Sequence, residues 1–311
     1  YRHTYDILGD RQGSIPSTFG ASLPDENWES IDAKGFEIEL GYNNHTGSGN
    51  NRINYFVKGN FGYATNKWVI HDEPADVRPY RSQIGKPTNR IYGYVATGVL
   101  RTQEDLDALP AGYTILGVTP QLGMLNYKDL RGPNSDKPDG RITSDDQDYI
   151  ADYTEPPMNF GLSFGGSWKA LSIDLLLQGV AGSKEMLPTA GRDIQARAEE
   201  ASFGYWADSW SPENPNGKYP GYRKTSYRTR YDASTFFMVD NSFLRLKNIS
   251  VSYSLPQSLM NRAGLKNVRV FFSGTNLVML YSANKIYDPE MNSILSYPMM
   301  KNFSFGLNIG L

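Results

Sequence analysis

The sequence predicts an all-β fold: a transmembrane antiparallel β-barrel with long extracellular loops. Four observations carry this prediction. Apolar and polar residues alternate over long stretches, and long and short connections alternate along the chain. No stretch approaches the about 18 consecutive apolar residues of a transmembrane helix. Phe, Tyr and Trp make up 13% of the 311 residues and 30 residues are Gly, a composition that favours β structure.

The alternation is clearest in the segments 36–42, 158–168 and 303–311, where every second residue is apolar over most of the length. Such a pattern gives a strand one apolar face and one wet face. Its length matches tilted membrane-spanning strands of about 9–11 residues, whereas strands of globular proteins are usually about five or six residues long. The same criterion predicts eight strands, at 1–8, 32–42, 52–66, 157–168, 171–182, 241–255, 266–280 and 300–311.

The connections between these strands alternate between long and short. They occupy residues 9–31, 43–51, 67–156, 169–170, 183–240, 256–265 and 281–299. Transmembrane barrels have this rhythm because their periplasmic turns are short and their external loops are long. Placing the C-terminus in the periplasm therefore makes every long connection extracellular.

Two local features bear on the strand register. Trp168 and Leu171 flank the two-residue turn Lys169-Ala170, so both apolar side chains should point to the same side of the sheet. In the strand at 241–255 the apolar residues change phase part-way along. We expect a β-bulge near Asn248 to account for that change.

The wet face carries Gly, Ser, Asn, Gln and Lys rather than large apolar residues. A barrel of only about eight strands must fill its interior with packed side chains. Small polar residues suit a wide, hydrated interior instead. The chain also begins at Tyr1 without Met or a signal peptide. We therefore expect residues 1–311 to be one portion of a larger barrel, with the other strands preceding Tyr1.

Composition and motifs exclude several other functions. The formal net charge of -2 argues against a nucleic-acid partner. The absence of Cys excludes thiolate metal sites and Cys nucleophiles. The segment 161–165 matches G-x-S-x-G but lies inside an alternating strand, not in the strand–turn–helix that this nucleophile needs. His3, His45 and His71 lack metal-ligand spacing and are expected at the surface. We predict that the chain is not an enzyme.

Several short motifs follow one another in a fixed order. They lie at 34–38, 210–215, 241–249, 253–256, 269–277, 287–290, 297–298 and 303–308. This ordered set spans nearly the whole chain and resembles the C-terminal barrel part of SusC/RagA-type TonB-dependent outer-membrane transporters. The last residue, Leu311, departs from the aromatic residue that usually ends an outer-membrane strand.

The resemblance implies a plugged barrel of about 22 strands in the outer membrane of a Gram-negative bacterium. It implies that a plug and a TonB-contacting segment lie in an N-terminal part outside residues 1–311. It also implies import of an oligosaccharide or peptide nutrient together with a surface lipoprotein of the SusD type. The protein would contact outer-membrane lipid. By length and composition, the connections 67–156 and 183–240 are the places where the lipoprotein would bind.

An acidic segment beginning at Asp129 resembles a calcium loop, in which several carboxylate oxygens meet one hard cation beside a Gly at a sharp turn. If residues 133–138 are an insertion, Asp129 takes the first position, Asp139 the fifth and Asp146 the twelfth. Arg131 stands where a further acidic or amide ligand would be. The pattern predicts a structural calcium ion held by these three Asp residues. The alternative is a turn held by its own side-chain hydrogen bonds.

The connection 183–240 is rich in aromatic residues and Arg. Aromatic faces stack on sugar rings, and Arg donates hydrogen bonds to hydroxyl or peptide carbonyl groups. The alternative is a small core within the loop together with an interfacial aromatic belt. The candidate substrate-binding residues are Tyr205, Trp206, Tyr219, Tyr222, Arg223 and Tyr227.

Three functions are therefore weighed. The leading one is energised nutrient import as part of a larger barrel. The second is a self-contained eight-stranded outer-membrane protein with an adhesive or glycan-binding surface. The third is a soluble β-rich glycan-binding module. The sequence upstream of Tyr1 distinguishes the first two, and dependence on detergent distinguishes the third.

Overall fold

The fold consists of one large antiparallel sheet and several small sheets formed by the long loops. The computed structural model describes residues 1–9, 20, 24–192, 203–221, 231–291 and 293–310. The strands in chain order are β1 (Arg2–Gly9), β2 (Glu26–Thr46), β3 (Ile53–Ile70), β4 (Ile91–Tyr94), β5 (Ala96–Val99), β6 (Thr114–Ile115), β7 (Leu125–Tyr127), β8 (Arg141–Ile142), β9 (Gln147–Ala151), β10 (Met158–Trp168), β11 (Leu171–Ala181), β12 (Lys184–Met186), β13 (Met238–Asp240), β14 (Phe243–Ser254), β15 (Asn267–Ser282) and β16 (Asn302–Gly310).

Helices are short and lie in the connections. The α-helices are α1 (Gln103–Asp107), α2 (Thr189–Arg192) and α3 (Gln257–Ala263), and single 3-10 turns occur at Gly49–Asn51, Ser144–Asp146, Gly204–Asp208 and Thr235–Phe237. Within the described residues, none of these helices has the length and apolarity to cross a membrane.

The large sheet has eight strands in the order β1-β2-β3-β10-β11-β14-β15-β16, and neighbouring strands are antiparallel. These are the eight strands that the alternation predicts. The structure extends β2 to 21 residues and β3 to 18 residues, because both strands continue as a ribbon beyond their apolar part. The sheet keeps all its long connections at one end and its short turns at the other.

The register of the sheet confirms both local expectations. Trp168 and Leu171 are direct cross-strand partners beside their two-residue turn. On β14, Leu246 pairs with Leu177 while Asn248 pairs with Leu176, which leaves Lys247 unpaired as a bulge. The bulge moves the apolar residues of β14 back into phase, so one face of the sheet stays apolar along its whole length.

The small sheets lie in the two longest connections and were not predicted. They pair β4 with β9, β5 with β7, β6 with β8, and β12 with β13. These strands are two to five residues long, too short to show an alternating pattern. We call the described parts of 71–157 and 182–242 the cap.

The buried apolar core of the molecule lies in the cap, not in the large sheet. Its members are Tyr94, Val99, Leu100, Tyr113, Ile115, Leu125, Tyr127, Ile142, Leu187, Trp206, Tyr219, Phe237 and Val239. The cap therefore packs like a small globular domain placed over the loop end of the sheet.

Candidate functional site

The large sheet has two chemically different faces. On the apolar face, Leu40 is 73% exposed, Leu162 40% and Phe305 80%. On the polar face, Lys58 lies 2.9 Å from the carboxylate of Glu39 on the neighbouring strand. A contiguous exposed apolar surface of this kind marks a membrane or protein contact.

A polar depression occupies the turn end of the polar face, with a volume of about 660 Å³. Arg52 donates from Nε to Oδ1 of Asn54 at 3.0 Å. Asn54 in turn donates to the hydroxyl of Ser167 on β10 at 3.2 Å. Asp174 of β11 also lines the depression. The sheet thus presents hydrogen-bonding groups, not packed apolar residues, on this side.

A cluster of charged residues lies at the other end of the polar face, where β14 bulges. Arg245 has a side chain only 3% exposed, and it pairs with Asp288 and with Glu290, whose carboxylate is 2.9 Å from its Nε. Nζ of Lys247 lies 2.6 Å from the same Glu290. Because Lys247 is the bulged residue, its side chain can join Arg245 on the polar face. These pairs fasten the loop between β15 and β16 to the sheet.

Sequence reasoning did not find this cluster. The segments 241–249 and 287–290 were recognised only as motifs of the family, and their charges were not paired with each other. Arg245 and Asp288 are 43 positions apart in the chain. One indication of this cluster was present in the sequence: the alternation of apolar residues changes phase in β14, and Arg245 and Lys247 lie beside the bulge predicted there.

The cap joins the two longest loops into one structure. Tyr94 donates its backbone N–H to the carbonyl of Ala233 at 2.8 Å, and Gly221 donates to the carbonyl of Gly123 at 2.8 Å. A guanidinium nitrogen of Arg101 donates to the carbonyl of Pro215 at 3.2 Å. Each of these hydrogen bonds joins one loop to the other, and both loops contribute residues to the core of the cap.

Two of the six candidate substrate-binding residues belong to the core of the cap, and a third, Tyr205, packs against it. Trp206 is 4% exposed and Tyr219 is 7% exposed. Their rings lie 5.5 Å apart between centroids, and the ring of Tyr205 lies 5.0 Å from that of Tyr219. The hydroxyl of Tyr205 donates to the carbonyl of Gly191, and burial raises the pKa of this hydroxyl. This arrangement is the small loop core that was the alternative interpretation.

The other three candidates, Tyr222, Arg223 and Tyr227, lie outside the described residues. Contact between any of the six candidates and a substrate therefore stays a prediction.

The acidic segment folds as a turn held by carboxylate–backbone hydrogen bonds. Asp146, fully buried, accepts from the backbone N–H of Leu130 at 2.7 Å and of Arg131 at 2.9 Å with one oxygen. Its other oxygen accepts from the backbone N–H of Thr143 at 2.7 Å. Asp129 accepts from the backbone N–H of Gly140 at 2.7 Å. Buried carboxylates commonly satisfy backbone donors in this way.

The residues that the structure describes contain no group of three or more acidic or His side chains arranged around a common point. Asp139 uses one oxygen to accept from the backbone of Arg141 at 3.0 Å. Asp129 and Asp146 likewise spend their oxygens on backbone N–H groups. The geometry does not fit a calcium loop, whose carboxylates converge on one ion. Calcium binding by these three residues stays a prediction from the sequence.

Two further residues were considered for catalysis or metal binding, Ser163 and His71, and they lie in different elements of the structure. Ser163 of the G-x-S-x-G segment sits within β10, level with Lys58 of β3 and Leu176 of β11. His71 is less exposed than expected, because its ring stacks on Trp68 and its Nδ1 is 2.7 Å from Glu29.

The comparisons with known proteins agree with this architecture. No protein-family model matches the chain. TonB-dependent receptor P26 of Formosa agariphila is 27% identical over 331 residues, which cover 99% of the chain and 32% of that relative. TonB-dependent receptor P3 of the same organism is 27% identical, over 98% of the chain and 31% of its own length.

Solved structures with the same fold include the RagAB peptide transporter, with a TM-score of 0.69 and 21% identity over 99% of the chain. The RagAB peptide importer in its open-open state gives a TM-score of 0.71 at 20% identity. In both cases the chain covers 32% of the solved chain. The chain is thus similar in sequence to TonB-dependent receptors and similar in fold to the RagAB structures. The chain spans about a third of the length of the receptors that it matches.

Similarity to proteins that carry the names of receptors and transporters agrees with the prediction that the chain is not an enzyme. It also confirms the resemblance that the ordered motifs indicated. TonB-dependent receptors are outer-membrane proteins of Gram-negative bacteria, in keeping with an apolar sheet face that is exposed.

Proposed function

We propose that the chain forms part of the wall and extracellular loops of a TonB-dependent barrel. The complete receptor would import an oligosaccharide or peptide nutrient across the outer membrane with a SusD-like lipoprotein. The observation that carries the proposal is an eight-stranded sheet with one exposed apolar face, in a chain that aligns along its whole length with TonB-dependent receptors.

The apolar face is proposed to contact lipid and the polar face to line the lumen. β10, with 11 residues, has the length of a tilted strand that crosses the apolar core of a membrane, about 9–11 residues. Trp168 and Tyr253 lie at the turn end of the apolar face, where an interfacial aromatic belt is expected.

The large sheet is proposed to be a section of a closed barrel of about 22 strands. Its strand order runs from β1 to β16 without closing on itself among the described residues. Open sheet edges do not persist in lipid, because each unpaired backbone group costs several kcal/mol there. The rest of the receptor, with a plug and a TonB-contacting segment, would pair these edges and fill the lumen.

The cap is proposed to bind the lipoprotein partner. It stands at the loop end of the sheet and has a packed core of its own, which gives its outer surface a fixed shape. The core residues Trp206 and Tyr219, with Tyr205 packed against them, would hold that shape. Tyr222, Arg223 and Tyr227 remain the candidates for direct contact with substrate.

Deleting the receptor gene, or the gene for TonB, should abolish growth on the nutrient that the receptor imports. The growth defect should be rescued by the complete receptor and not by a version without its TonB-contacting segment. Growth that is unaffected by loss of TonB would contradict energised import.

A second measurement tests the partner. The lipoprotein should co-purify with the complete receptor, and replacing the cap by short linkers should abolish co-purification while the barrel stays folded. Heat-dependent mobility on a gel reports barrel folding in the same samples. Unchanged co-purification without the cap would place the lipoprotein on the other part of the receptor.

A further inference from the structure

A cavity of about 550 Å³ lies between the polar face of the sheet and the cap. Its walls come from β11, β14, the segment before β10, the start of the cap strand β12 and the loop between β15 and β16. A volume of this size is within the range of about 300–1,000 Å³ that small-molecule sites occupy. None of the features described above assigns a role to this cavity.

One side of the cavity is apolar. Val180 and Phe243 extend from the sheet, and Met291 comes from the loop between β15 and β16. Phe243 is 4% exposed, so its ring is held firmly in place. These side chains form a surface on which the carbon chain of a ligand can pack.

The charged side chains that line the cavity are acidic. Glu155, Glu185 and Glu290 contribute carboxylates, and no Lys or Arg is among the described lining residues. Glu290 is already neutralised by Arg245 and Lys247 behind it. Within the described part of the chain, Glu155 and Glu185 have no ion-pair partner. The cavity therefore carries an excess of negative charge.

Glu185 is held in position by neutral hydrogen-bond donors. Its Oε2 accepts from Nδ2 of Asn241 at 2.8 Å, and Oδ1 of Asn241 accepts from Nδ2 of Asn284 at 3.0 Å. Burial raises the pKa of Tyr287, and the adjacent carboxylate of Glu185 raises it further, so this hydroxyl stays neutral. A fixed carboxylate that lacks a cation pairs well with a ligand cation.

We infer that this cavity binds the ammonium group of a peptide, with Glu185 as the main acceptor and Glu155 as the second. The inference rests on the proposed import function and specifies the substrate as a peptide that carries a free amino group. The apolar wall favours a peptide over an amino sugar, because Phe243, Val180 and Met291 would contact aliphatic side-chain carbon. A neutral oligosaccharide would leave the two carboxylates unpaired.

The complete receptor, purified in detergent with its lipoprotein, provides the test. It is incubated with a casein digest whose peptides end in Lys, or with the same digest after acetylation of all amino groups. Retained peptides are counted by mass spectrometry. Acetylation should lower retention at least tenfold, because the α- and Lys ε-ammonium groups become neutral amides while peptide length and all other side chains are kept.

Glu185→Gln should reduce that difference to less than twofold, and Glu155→Gln, at an exposed position, should reduce it in part without affecting folding. Glu104→Gln in α1 is the matched control, because it removes an exposed carboxylate elsewhere in the cap; it should behave as the unmodified receptor does. Equal retention of both digests, or a preference that survives Glu185→Gln, would overturn the inference.

Retention of neither digest would also overturn it. TonB-dependent growth of the same strain then shows whether the import function stands. Growth on a neutral oligosaccharide that needs both TonB and the receptor would mean that only the peptide-ammonium site is wrong. Loss of TonB dependence would mean that the proposed function itself has failed.

Discussion

The large sheet and the cap treat their apolar residues in opposite ways. In the sheet, Phe305 is 80% exposed and Leu40 is 73% exposed. In the cap, Phe237 is 1% exposed and Leu125 is 2% exposed. Both regions belong to one chain of ordinary composition, so the difference reflects their surroundings. The cap collects its apolar side chains in a core, as proteins do in water, and the sheet exposes such side chains on one face, where contact with lipid is proposed.

Burial of apolar side chains therefore identifies the structural core of a region only where that region is surrounded by water. In the cap, the hydrophobic effect collects aromatic rings from two loops into one cluster. In the sheet, lipid would replace that cluster, and backbone hydrogen bonding between strands sets the structure. Changes to single residues or to pH test this contrast between the two regions.

Removal of a core ring from the cap should have the largest effect. Phe237→Ala leaves a cavity among Trp206, Tyr231 and Phe236, whose rings contact Phe237. Such a change typically costs about 3–5 kcal/mol. Limited proteolysis of the receptor should show faster cleavage within the cap, with the barrel intact. Phe305→Ala, at an exposed position of the sheet, should leave cleavage of the cap unchanged.

A charge on the apolar face of the sheet should have the next largest effect. Leu162→Arg puts a guanidinium group on the face that is proposed to contact lipid, and it should cost about 2–4 kcal/mol near the bilayer midplane. Ser163→Arg puts the same group on the polar face of the same strand and should cost much less. The measurement is the urea midpoint of barrel unfolding in lipid vesicles. Equal shifts for the two variants would break the contrast between the faces.

Alkaline pH should loosen the cap before the sheet. Burial, and then the nearby carboxylates of Asp129 and Asp146, raise the pKa of Tyr113 from 10.0 to about 12. A raised pKa in the folded state contributes stability that is complete below the unfolded value and is lost as pH rises through the folded value. Hydrogen exchange of the cap should therefore accelerate between about pH 10 and 12.

Tyr113→Phe removes this titrating group and should flatten that part of the pH profile. It also removes the hydrogen bond from the Tyr113 hydroxyl to Oδ1 of Asn126 at 3.0 Å, so a small loss of stability at neutral pH is expected. An unchanged alkaline profile would show that Tyr113 does not govern the loosening.

The smallest effect is expected at the turn between β10 and β11. Lys169 has a φ of 52°, and a left-handed conformation costs a non-Gly residue about 1–2 kcal/mol. Lys169→Gly removes that cost but loses the contact of the ammonium, 4.6 Å from the Trp168 ring centroid, worth about 0.5–1 kcal/mol. The thermal midpoint should rise slightly. Ala170→Gly, at a position without positive φ, should lower it.

Much of the sheet follows from local sequence pattern. Each of the eight predicted strands is present, the turn at Lys169 pairs Trp168 with Leu171, and the bulge lies beside Asn248 as the phase change indicated. The prediction of length was less accurate, since β2 starts at Glu26 and not at residue 32. In residues 26–31 the side chains no longer alternate between apolar and polar, but the backbone still pairs with the neighbouring strands. An alternation of side chains cannot predict such backbone pairing.

The order of apolar and polar residues along the chain decides which face of a strand each side chain occupies. That is a local property, so strands, faces and register could be read in order along the chain. The structure of the long loops, by contrast, depends on contacts between residues that are far apart in the chain. Ala96 and Thr235 are hydrogen-bonded across 139 positions, and Lys247 meets Glu290 across 43. Such contacts depend on loop packing, for which two-residue strands and scattered aromatic residues carry no periodic pattern. The cap, the charged cluster and the cavity beneath the cap therefore emerged only once the chain was folded.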